Sequence, residues 1–183
     1  MSGKVETREF SIDDYDAAGD LWDGVEGIEI AEGDDRKRVA KFLARNPGLS
    51  RVAVDARSRS IVGAALCGHD GRRGHIYHLA VDPKCQGLGL GKRLVDECLD
   101  GLRRAGIQRV IILVAHDNPR GREFWSRAGW EELPGAVAMG CDVKQKNSGA
   151  VFALARRAVS KQRQRSELTA KKEPRSIDTA SSF

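Results

Sequence analysis

The sequence predicts a layered α/β or α+β domain built on one sheet, and two observations lead to this prediction. Between residues 51 and 81, short apolar runs with a period of two alternate with turn residues, as in adjacent antiparallel strands. The second half then contains a strand, a glycine-rich loop, a helix, a strand and a helix, an order typical of helices packed on a sheet. With 183 residues, 40% of them hydrophobic, the chain can bury the core of one domain with an appendage.

The elements of the first half follow from apolar period and turn residues. In chain order they are a strand at 5–10, a helix over 15–22, a helix opened by 34–35 and closed at 46–48, a hairpin of strands at 51–55 and 61–67, and a strand at 75–81. Ser11 and Asp14 form an approximate capping box just before the first helix. Residues 57–60 are polar and supply the turn of the hairpin.

The second half adds two helices and further strands. In chain order they are a glycine-rich loop at 86–91, a helix with apolar positions between 94 and 102, a strand at 109–115, a helix that begins after 117–119 and ends at 128–129, and shorter strand candidates at 130–133 and 136–143. The strand at 109–115 is almost wholly apolar and rich in β-branched residues, which predicts a central strand buried on both faces.

The glycine-rich loop predicts a phosphate site, because glycines between a strand and a helix leave N–H groups at the positive end of the helix dipole. A dinucleotide fingerprint is disfavoured, since Gly87, Gly89 and Gly91 are spaced G-x-G-x-G. A P-loop is excluded because Gln86 replaces its first glycine and Arg93 its hydroxyl residue. On the glycines alone, a loop that only joins strand to helix stays an alternative.

Two motifs in order resemble the GNAT superfamily of N-acetyltransferases. The segment 79–91, which ends in Q-x-x-G-x-G from Gln86, resembles the acyl-CoA pyrophosphate loop, and N-x-x-G-x-x-F-W-x-x-A-G-W at 118–130 resembles a second family segment. The resemblance covers roughly residues 4–143, the predicted acetyltransferase domain, and leaves 144–183 as a basic tail. It implies an α/β GNAT-like domain with a mixed, mostly antiparallel sheet, splayed between two central strands, and helices on both faces.

The resemblance also implies that acetyl-CoA, as co-substrate, enters between the strand ending at Val81 and the strand at 109–115. Backbone groups near Leu79 and Val81 would hold the pantetheine arm, and the Leu79 N–H would polarise the thioester carbonyl. Amides of the loop would bind the pyrophosphate, and Asn118 would contact the pantetheine side. The implied cofactor-binding residues are Leu79, Val81, Gln86, Gly87, Leu88, Gly89, Leu90, Gly91 and Asn118.

The implied function is transfer of acetyl from acetyl-CoA to a primary amine by direct attack in a ternary complex. An amine with a pKa of about 10.4 is mostly protonated at pH 7, so a base is valuable, whereas a thiol with a pKa of about 8.5 leaves tolerably as thiolate. Trp125 stands where many family members have a tyrosine that protonates that thiolate. The alternative is a catalytically weak or inactive acyl-CoA-binding regulatory module.

The predicted catalytic residues are His75, Tyr77 and Leu79. His75 lies six residues before Val81, where some GNAT relatives place a catalytic carboxylate, and an imidazole titrates near neutral pH. Tyr77 shares its face in a regular strand and could act as an acid or a substrate contact. His78 would point to the opposite face, so we expect it to pack. For His75 a solvent-exposed strand start, and for Tyr77 core packing, stay alternatives.

Acidic residues cluster around the loop between the first two helices and would attract a cationic amine. They are Asp23, Glu26, Glu29, Glu32, Asp34 and Asp35. Solvated charge at helix ends is the alternative explanation. The acceptor itself, a small molecule or a protein amino group, is not specified by these residues, and the sequence leaves a homodimer open.

The charge is uneven along the chain. Residues 144–183 carry a net charge of +7 and residues 1–143 one of −2, so the basic character belongs to the tail and we do not expect a nucleic-acid partner. The tail is polar beyond Lys161, which predicts disorder. A basic amphipathic helix at 151–159 is the alternative.

The sequence also indicates a cytoplasmic protein. Its longest apolar run, 110–115, is far short of the roughly 20 residues that a membrane helix needs, and the first residues do not have the pattern of a secretory signal. Its four cysteines, Cys67, Cys85, Cys98 and Cys141, are scattered without a C-x-x-C pair. We therefore expect reduced thiols and no metal.

Overall fold

The computed structural model describes residues 4–28, 30–141 and 143. The chain divides into two units at 138/139, and the helices and strands of the described residues lie in the first. In chain order they are β1 (Val5–Glu9), α1 (Tyr15–Asp23), α2 (Arg36–Arg45), β2 (Arg51–Asp55), β3 (Ile61–His69), β4 (Gly74–Val81), α3 (Leu90–Arg104), β5 (Val110–Ile111) and α4 (Pro119–Arg127). No helix in the described ranges is long and apolar enough to cross a membrane.

The five strands of the described residues form one open sheet in the order β1-β2-β3-β4-β5. Pairing is antiparallel from β1 to β4 and parallel between β4 and β5. The parallel pair is short: Gly74 pairs with Val110 and His75 with Ile111, after which the two strands separate. The predicted fold class, a mixed and mostly antiparallel sheet that splays and carries helices, is confirmed.

Helices cover both faces of the sheet. Ala64 and Ala65 are neighbours on β3 and belong to different core clusters, because successive residues of a strand face opposite sides. Trp22 of α1 packs on the Ala64 side, and Val95 and Leu102 of α3 pack on the Ala65 side. Burying each large apolar side chain contributes about 1.5–3 kcal/mol, so this two-sided core holds β4 in place between the helix layers.

The predicted cap before α1 is present. The Ser11 backbone N–H donates to Asp14 Oδ2 at 2.9 Å, within a short 3-10 helix over Ile12–Asp14. Two further donors reach the same carboxylate from Arg8, at 2.6 and 2.7 Å. Burial alone would raise the pKa of Asp14, but the hydrogen bonds from Arg8 and Ser11 outweigh it and hold this pKa below its usual range.

The end of the sheet differs from the prediction. The strand expected at 109–115 is paired only over Val110–Ile111, and β5 is the edge of the described sheet rather than a strand buried on both faces. Leu113 is 78% exposed. The reason is that β4 turns away after His75, so residues beyond Ile111 lose their ladder partner.

The two short strand candidates at the end of the domain are wrong in the part of the chain that the structure describes. Residues 130–133, and the described positions within 136–143, carry no strand assignment. Pro134 and Gly135 make a turn, as expected, with φ +81° at Gly135, but no described residue of either segment takes part in the sheet. The predicted tail at 144–183, with its helix alternative at 151–159, lies outside the described residues, so it and the 143/144 boundary stay predictions.

Candidate active site

A bulge interrupts β4 near its centre. Ala65 of β3 faces two residues, His78 and Leu79, where a regular strand would offer one. His78 has φ +48°, in the left-handed region that few residues other than glycine and asparagine adopt readily. A bulge bends its strand and increases the local twist, and β4 separates from β5 just before this point. The bulge therefore sits where the sheet opens.

The bulge places two neighbouring side chains on one face of the sheet. The Tyr77 ring packs edge-on against Phe42 of α2 with centroids 6.0 Å apart, and the His78 ring lies 5.1 Å from Trp22 of α1. His75 stacks on Tyr77 at 5.7 Å. The expectation that His78 points away from His75 and Tyr77 is wrong, because it assumed a regular strand and the extra residue of the bulge reverses the alternation.

A cleft of about 990 Å³ opens between the diverging strands. Its walls come from β4, from residues 112–115 after β5, from the loop between α1 and α2, and from α4. Tyr77, His78 and Leu79 line it, and among the described residues His75 does not. Of the three predicted catalytic residues, two therefore face the cleft directly.

The glycine-rich loop closes one end of the cleft. Gly87 and Gly89 have φ +77° and +76°, and a Cβ at either would meet no atom within 4 Å. Gly89 is the residue before α3, whose first helical hydrogen bond runs from the Arg93 N–H to the Gly89 carbonyl at 3.0 Å. The amides between them are the N-terminal donors of a helix, a place where anions bind. Gln86 Nε2 donates to the Val81 carbonyl at 3.0 Å and ties the loop to β4.

Asn118 stands on the opposite wall as the residue before α4. Its Oδ1 accepts the Gly121 N–H at 2.7 Å, and a Cβ at Gly121 would lie 2.7 Å from Asn118 Nδ2. A Cβ at Gly27, in the α1–α2 loop, would overlap that same Nδ2 atom. Asn118 is therefore the point where two walls of the cleft touch, and glycine at both positions makes the contact sterically feasible.

Trp125 gives the cleft an aromatic wall. Its ring meets Phe124 at 5.1 Å and Trp130 at 4.9 Å, both edge-to-face, and it is among the lining residues. An indole carries no hydroxyl and donates only through its ring N–H. Tyr77 does bring a hydroxyl; burial and the charge of Asp70 raise its pKa, so its phenol is a proton donor rather than a base at neutral pH.

Asp34 and His78 form a pair that sequence reasoning missed. His78 Nε2 lies 2.9 Å from Asp34 Oδ1, and the two side chains are only 14% and 20% exposed. Burial would raise the pKa of Asp34, but the hydrogen bonds from His78 and from the Ala31 N–H outweigh it and lower this pKa. The acidic run in the sequence contained Asp34. His78 reaches this carboxylate because of the bulge in β4, which the sequence pattern does not indicate.

The rest of the acidic run has mixed roles. Asp35 caps α2, accepting the Arg38 N–H at 3.1 Å, and pairs with the Arg38 guanidinium. Glu26 lines the cleft, with Arg120 at 4.0 Å across it. Glu29 lies outside the described residues. Of the described members of this run, Glu26 is the one that lines the cleft, and the attraction for a cationic amine stays a prediction.

Comparison with known proteins identifies the family to which this chain belongs. Residues 17–130, more than half of the chain, match the family model described as the acetyltransferase (GNAT) family. The chain belongs to the GNAT acetyltransferase family. The recognition made from the motifs at 79–91 and 118–130 is thus confirmed.

Individual relatives of this GNAT domain match it over different lengths. It is 44% identical over 61 residues to a mycothiol acetyltransferase of Beutenbergia cavernae. The aligned residues make up 33% of this chain and 20% of that protein. It is 30% identical over 114 residues to an acetyltransferase of Pectobacterium atrosepticum, covering 62% of this chain and 79% of that protein. The chain thus spans about a fifth of the length of the first relative and most of the second.

A solved structure shows the same fold. Rv2747 of Mycobacterium tuberculosis, determined in complex with CoA and NLQ, superposes with a TM-score of 0.57 at 24% identity, over 73% of this chain and 76% of that one. In the present GNAT domain the predicted cofactor-binding residues come together around one cleft, and all of them except Leu88 line it. Leu88 is 61% exposed. Their contacts with CoA stay predictions, and no cluster of three metal-ligating side chains occurs among the described residues.

Proposed function

We propose that this GNAT domain is an N-acetyltransferase that uses acetyl-CoA to acetylate a primary amine by direct attack in a ternary complex. One observation carries the proposal: a single cleft has helix N-terminal amides at one end and a strand bulge at the other. The amides suit a pyrophosphate, and the bulge suits a carbonyl that must be polarised. A linear thioester with a phosphorylated tail needs these two features.

In this proposal the loop at 86–91 holds the pyrophosphate through backbone amides. Leu79 and Val81 on β4 contact the pantetheine arm from one side and Asn118 from the other, which is consistent with their positions on facing walls. Acetyl-CoA supplies an activated acetyl group. The chain's own residues bind it, orient it and keep water from the reacting carbon.

The Leu79 N–H is the proposed donor to the thioester carbonyl. Leu79 occupies the bulge, where the hydrogen-bond ladder with β3 is locally disrupted. A fixed N–H aimed at the developing oxyanion stabilises the transition state more than the ground state. Because this donor belongs to the backbone, replacing the Leu79 side chain would leave it in place.

The proposed acetyl transfer needs a general base more than a general acid. The CoA thiol has an ordinary pKa of about 8.5 and can leave as thiolate, whereas the amine must lose a proton before it attacks. Trp125 offers no hydroxyl, which fits departure without a dedicated donor. His75 and Tyr77 are the base or acid candidates from the sequence, and of these only Tyr77 lines the cleft among the described residues.

The test is turnover of acetyl-CoA with a panel of amines, following the released thiol. The panel contains peptides with free N-termini, lysine, polyamines, aminoglycosides and amino acids, since all present the same reacting group. We expect thiol release that depends on both substrates, with intersecting initial-rate lines that indicate a ternary complex. Tight CoA binding without turnover of any amine would contradict the proposal and favour the acyl-CoA-binding regulatory module.

A further inference from the structure

The carboxylate–imidazole pair in the bulge of β4 has a chemical role that the sequence did not indicate. Resting on the N-acetyltransferase function proposed above, we propose that His78 takes the proton from the attacking amine and that Asp34 positions it. His78 lines the cleft and directly precedes Leu79, the proposed donor to the thioester carbonyl. A base and an oxyanion donor on adjacent residues would flank one reacting carbon.

The imidazole is held from several directions. Its Nε2 lies 2.9 Å from Asp34 Oδ1, and its ring rests on Trp22. Asp34 is held in turn: its Oδ2 accepts the Ala31 N–H at 2.8 Å, and its carbonyl accepts the Tyr15 hydroxyl at 2.7 Å. A ring fixed in this way loses little further freedom when substrate binds, which is what a general base requires.

The pairing also selects the tautomer. A carboxylate accepts hydrogen bonds and does not donate them, so Nε2 carries the proton and donates to Asp34. Among the described residues nothing bonds to Nδ1, so its lone pair can take a proton, as in other carboxylate-oriented histidines. Asp34 is the positioning residue because it acts on the reaction only through His78.

The neighbouring groups are poorer bases. Burial raises the pKa of Tyr77, so this phenol holds its proton at neutral pH. The lowered pKa of Asp34 makes its carboxylate a weak base, and it already accepts two hydrogen bonds. His75 is not among the described residues that line the cleft.

The proton and electron balance is simple. The amine lone pair forms the N–C bond at the thioester carbonyl, and the C–S bond breaks with its electron pair leaving on sulfur. An acceptor that arrives as an ammonium first passes one proton to His78 Nδ1, which frees its lone pair for attack. The second proton on nitrogen is released to water as the amide forms. The thiolate leaves unaided, and the imidazolium then gives its proton to the departed thiolate, which becomes the free thiol of CoA. The imidazole ends the cycle neutral and no further reactant is needed.

The pH dependence of this step involves the charged and titratable groups that the described residues bring near the ring. Asp34 faces it from the α1–α2 loop and Tyr77 from β4 itself. The Tyr15 hydroxyl of α1 donates to the Asp34 carbonyl, and Asp35 at the start of α2 acts on Asp34 by its negative charge. We expect kcat/KM to fall on the acidic side as the imidazole becomes protonated, with a limb that belongs to His78.

The first test replaces the ring without straining the backbone. His78→Asn suits the left-handed conformation, and His116→Asn is the matched control, at an exposed histidine outside the cleft lining. We expect His78→Asn to lower kcat by about 10²-fold or more, to remove the acidic limb and to leave the affinity for CoA unchanged. His116→Asn should keep the limb. Full kcat and an unchanged limb in His78→Asn would overturn the assignment.

Chemical rescue and Asp34 variants separate catalysis from structure. His78→Gly tolerates the positive φ and leaves a space beside Asp34. Added imidazole should therefore restore the activity of this variant with saturation, whereas it should not raise the activity of the wild type. Asp34→Asn can donate to the ring and favour the opposite tautomer, so kcat should fall while KM for acetyl-CoA stays the same. Asp34→Glu should recover part of that loss. Absence of rescue in a folded His78→Gly chain would overturn the proposal.

The tautomer of His78 can also be measured in the wild-type chain, so this test does not depend on a variant that folds. Nitrogen NMR of the imidazole in the CoA complex should report Nε2 protonated and Nδ1 unprotonated above the acidic limb, and the opposite tautomer would overturn the proposal. The outcomes also separate this inference from the proposed function. If wild type acetylates no amine, both fail; if wild type acetylates amines and His78→Asn does so equally well, only His78 fails.

Discussion

The two ends of the cleft are built from different material. The loop at 86–91 presents backbone amides, and its geometry comes from two glycines with positive φ and from the start of α3. The bulge end presents side chains from distant parts of the chain, with His78 on β4 and Asp34 between α1 and α2. One end therefore depends on local backbone freedom, whereas the other depends on how strands and helices pack. Substitutions should affect the two ends in different ways.

The largest expected effect lies at the backbone end. Gly89→Val should weaken CoA binding by about 100-fold or more, the worth of one or two hydrogen bonds to a charged group, because valine resists φ +76° and displaces the amides. Titration calorimetry with CoA measures the change. The chain should still fold, since a left-handed residue costs about 1–2 kcal/mol and a Cβ at this position meets no atom within 4 Å.

Two neighbours in the same loop serve as controls. Leu88→Ala keeps its amide and removes only an exposed side chain, so CoA affinity should match wild type. Gly91→Val should instead lower the free energy of unfolding, because a Cβ there would lie 3.2 Å from Phe124. Wild-type CoA affinity in a folded Gly89→Val chain would end the pyrophosphate assignment.

A third region, remote from both ends, tests stability without binding. Asp14→Asn removes the charge that pairs with Arg8 and should lower the free energy of unfolding by roughly 1–3 kcal/mol at pH 7, with CoA affinity per folded molecule unchanged. Urea unfolding measures it. The folded pKa of Asp14 lies below the unfolded one, so its contribution is complete above the unfolded pKa and is lost as pH falls through the folded pKa.

The variant should therefore lose less stability than wild type between pH 7 and about pH 3. Asp13→Asn is the matched control, since Asp13 is an exposed neighbour in the same short helix. Equal acid sensitivity of wild type and Asp14→Asn would contradict the role of the Arg8 pair.

A smaller effect is expected at the aromatic wall. Trp125→Phe should lower kcat/KM only a few-fold through lost packing on Phe124 and Trp130, without moving the pH profile, because thiolate departure needs no donor there. Trp125→Tyr supplies a hydroxyl and should be no faster than Trp125→Phe. A Tyr variant faster than the Phe variant by the 10²-fold or more of a general acid would show that protonation of the thiolate limits the rate.

The smallest expected effect concerns the C-terminal segment. Deleting the residues after Val143 should leave CoA affinity unchanged, because the residues that line the cleft all precede position 129. Calorimetry on the shortened and full chains makes the comparison. A shortened chain that is soluble and folded, yet does not bind CoA, would mean that the segment completes the site.

The contrast between the two ends also explains what the sequence could predict. The loop was predictable because glycine spacing, the preceding strand and the following helix are adjacent in the chain. The fold class was predictable from the alternating runs at 51–81 and the order of the elements after them. The pairing of Asp34 with His78 could not be predicted from the sequence, because it depends on the bulge at which Ala65 of β3 faces two residues of β4. The same cause hid the shortness of β5, because apolar residues at 109–115 indicate a strand but not how far its partner accompanies it.

The contact between Gly27 and Asn118 has a consequence for redesign. Any side chain at position 27 would overlap the Asn118 amide, and any at position 121 would press on it from within α4. These three positions therefore vary together. A library that diversifies the α1–α2 loop to admit new acceptors can enlarge Gly27 only together with a smaller residue at 118. Mutational tolerance along this loop should thus be lowest at Gly27.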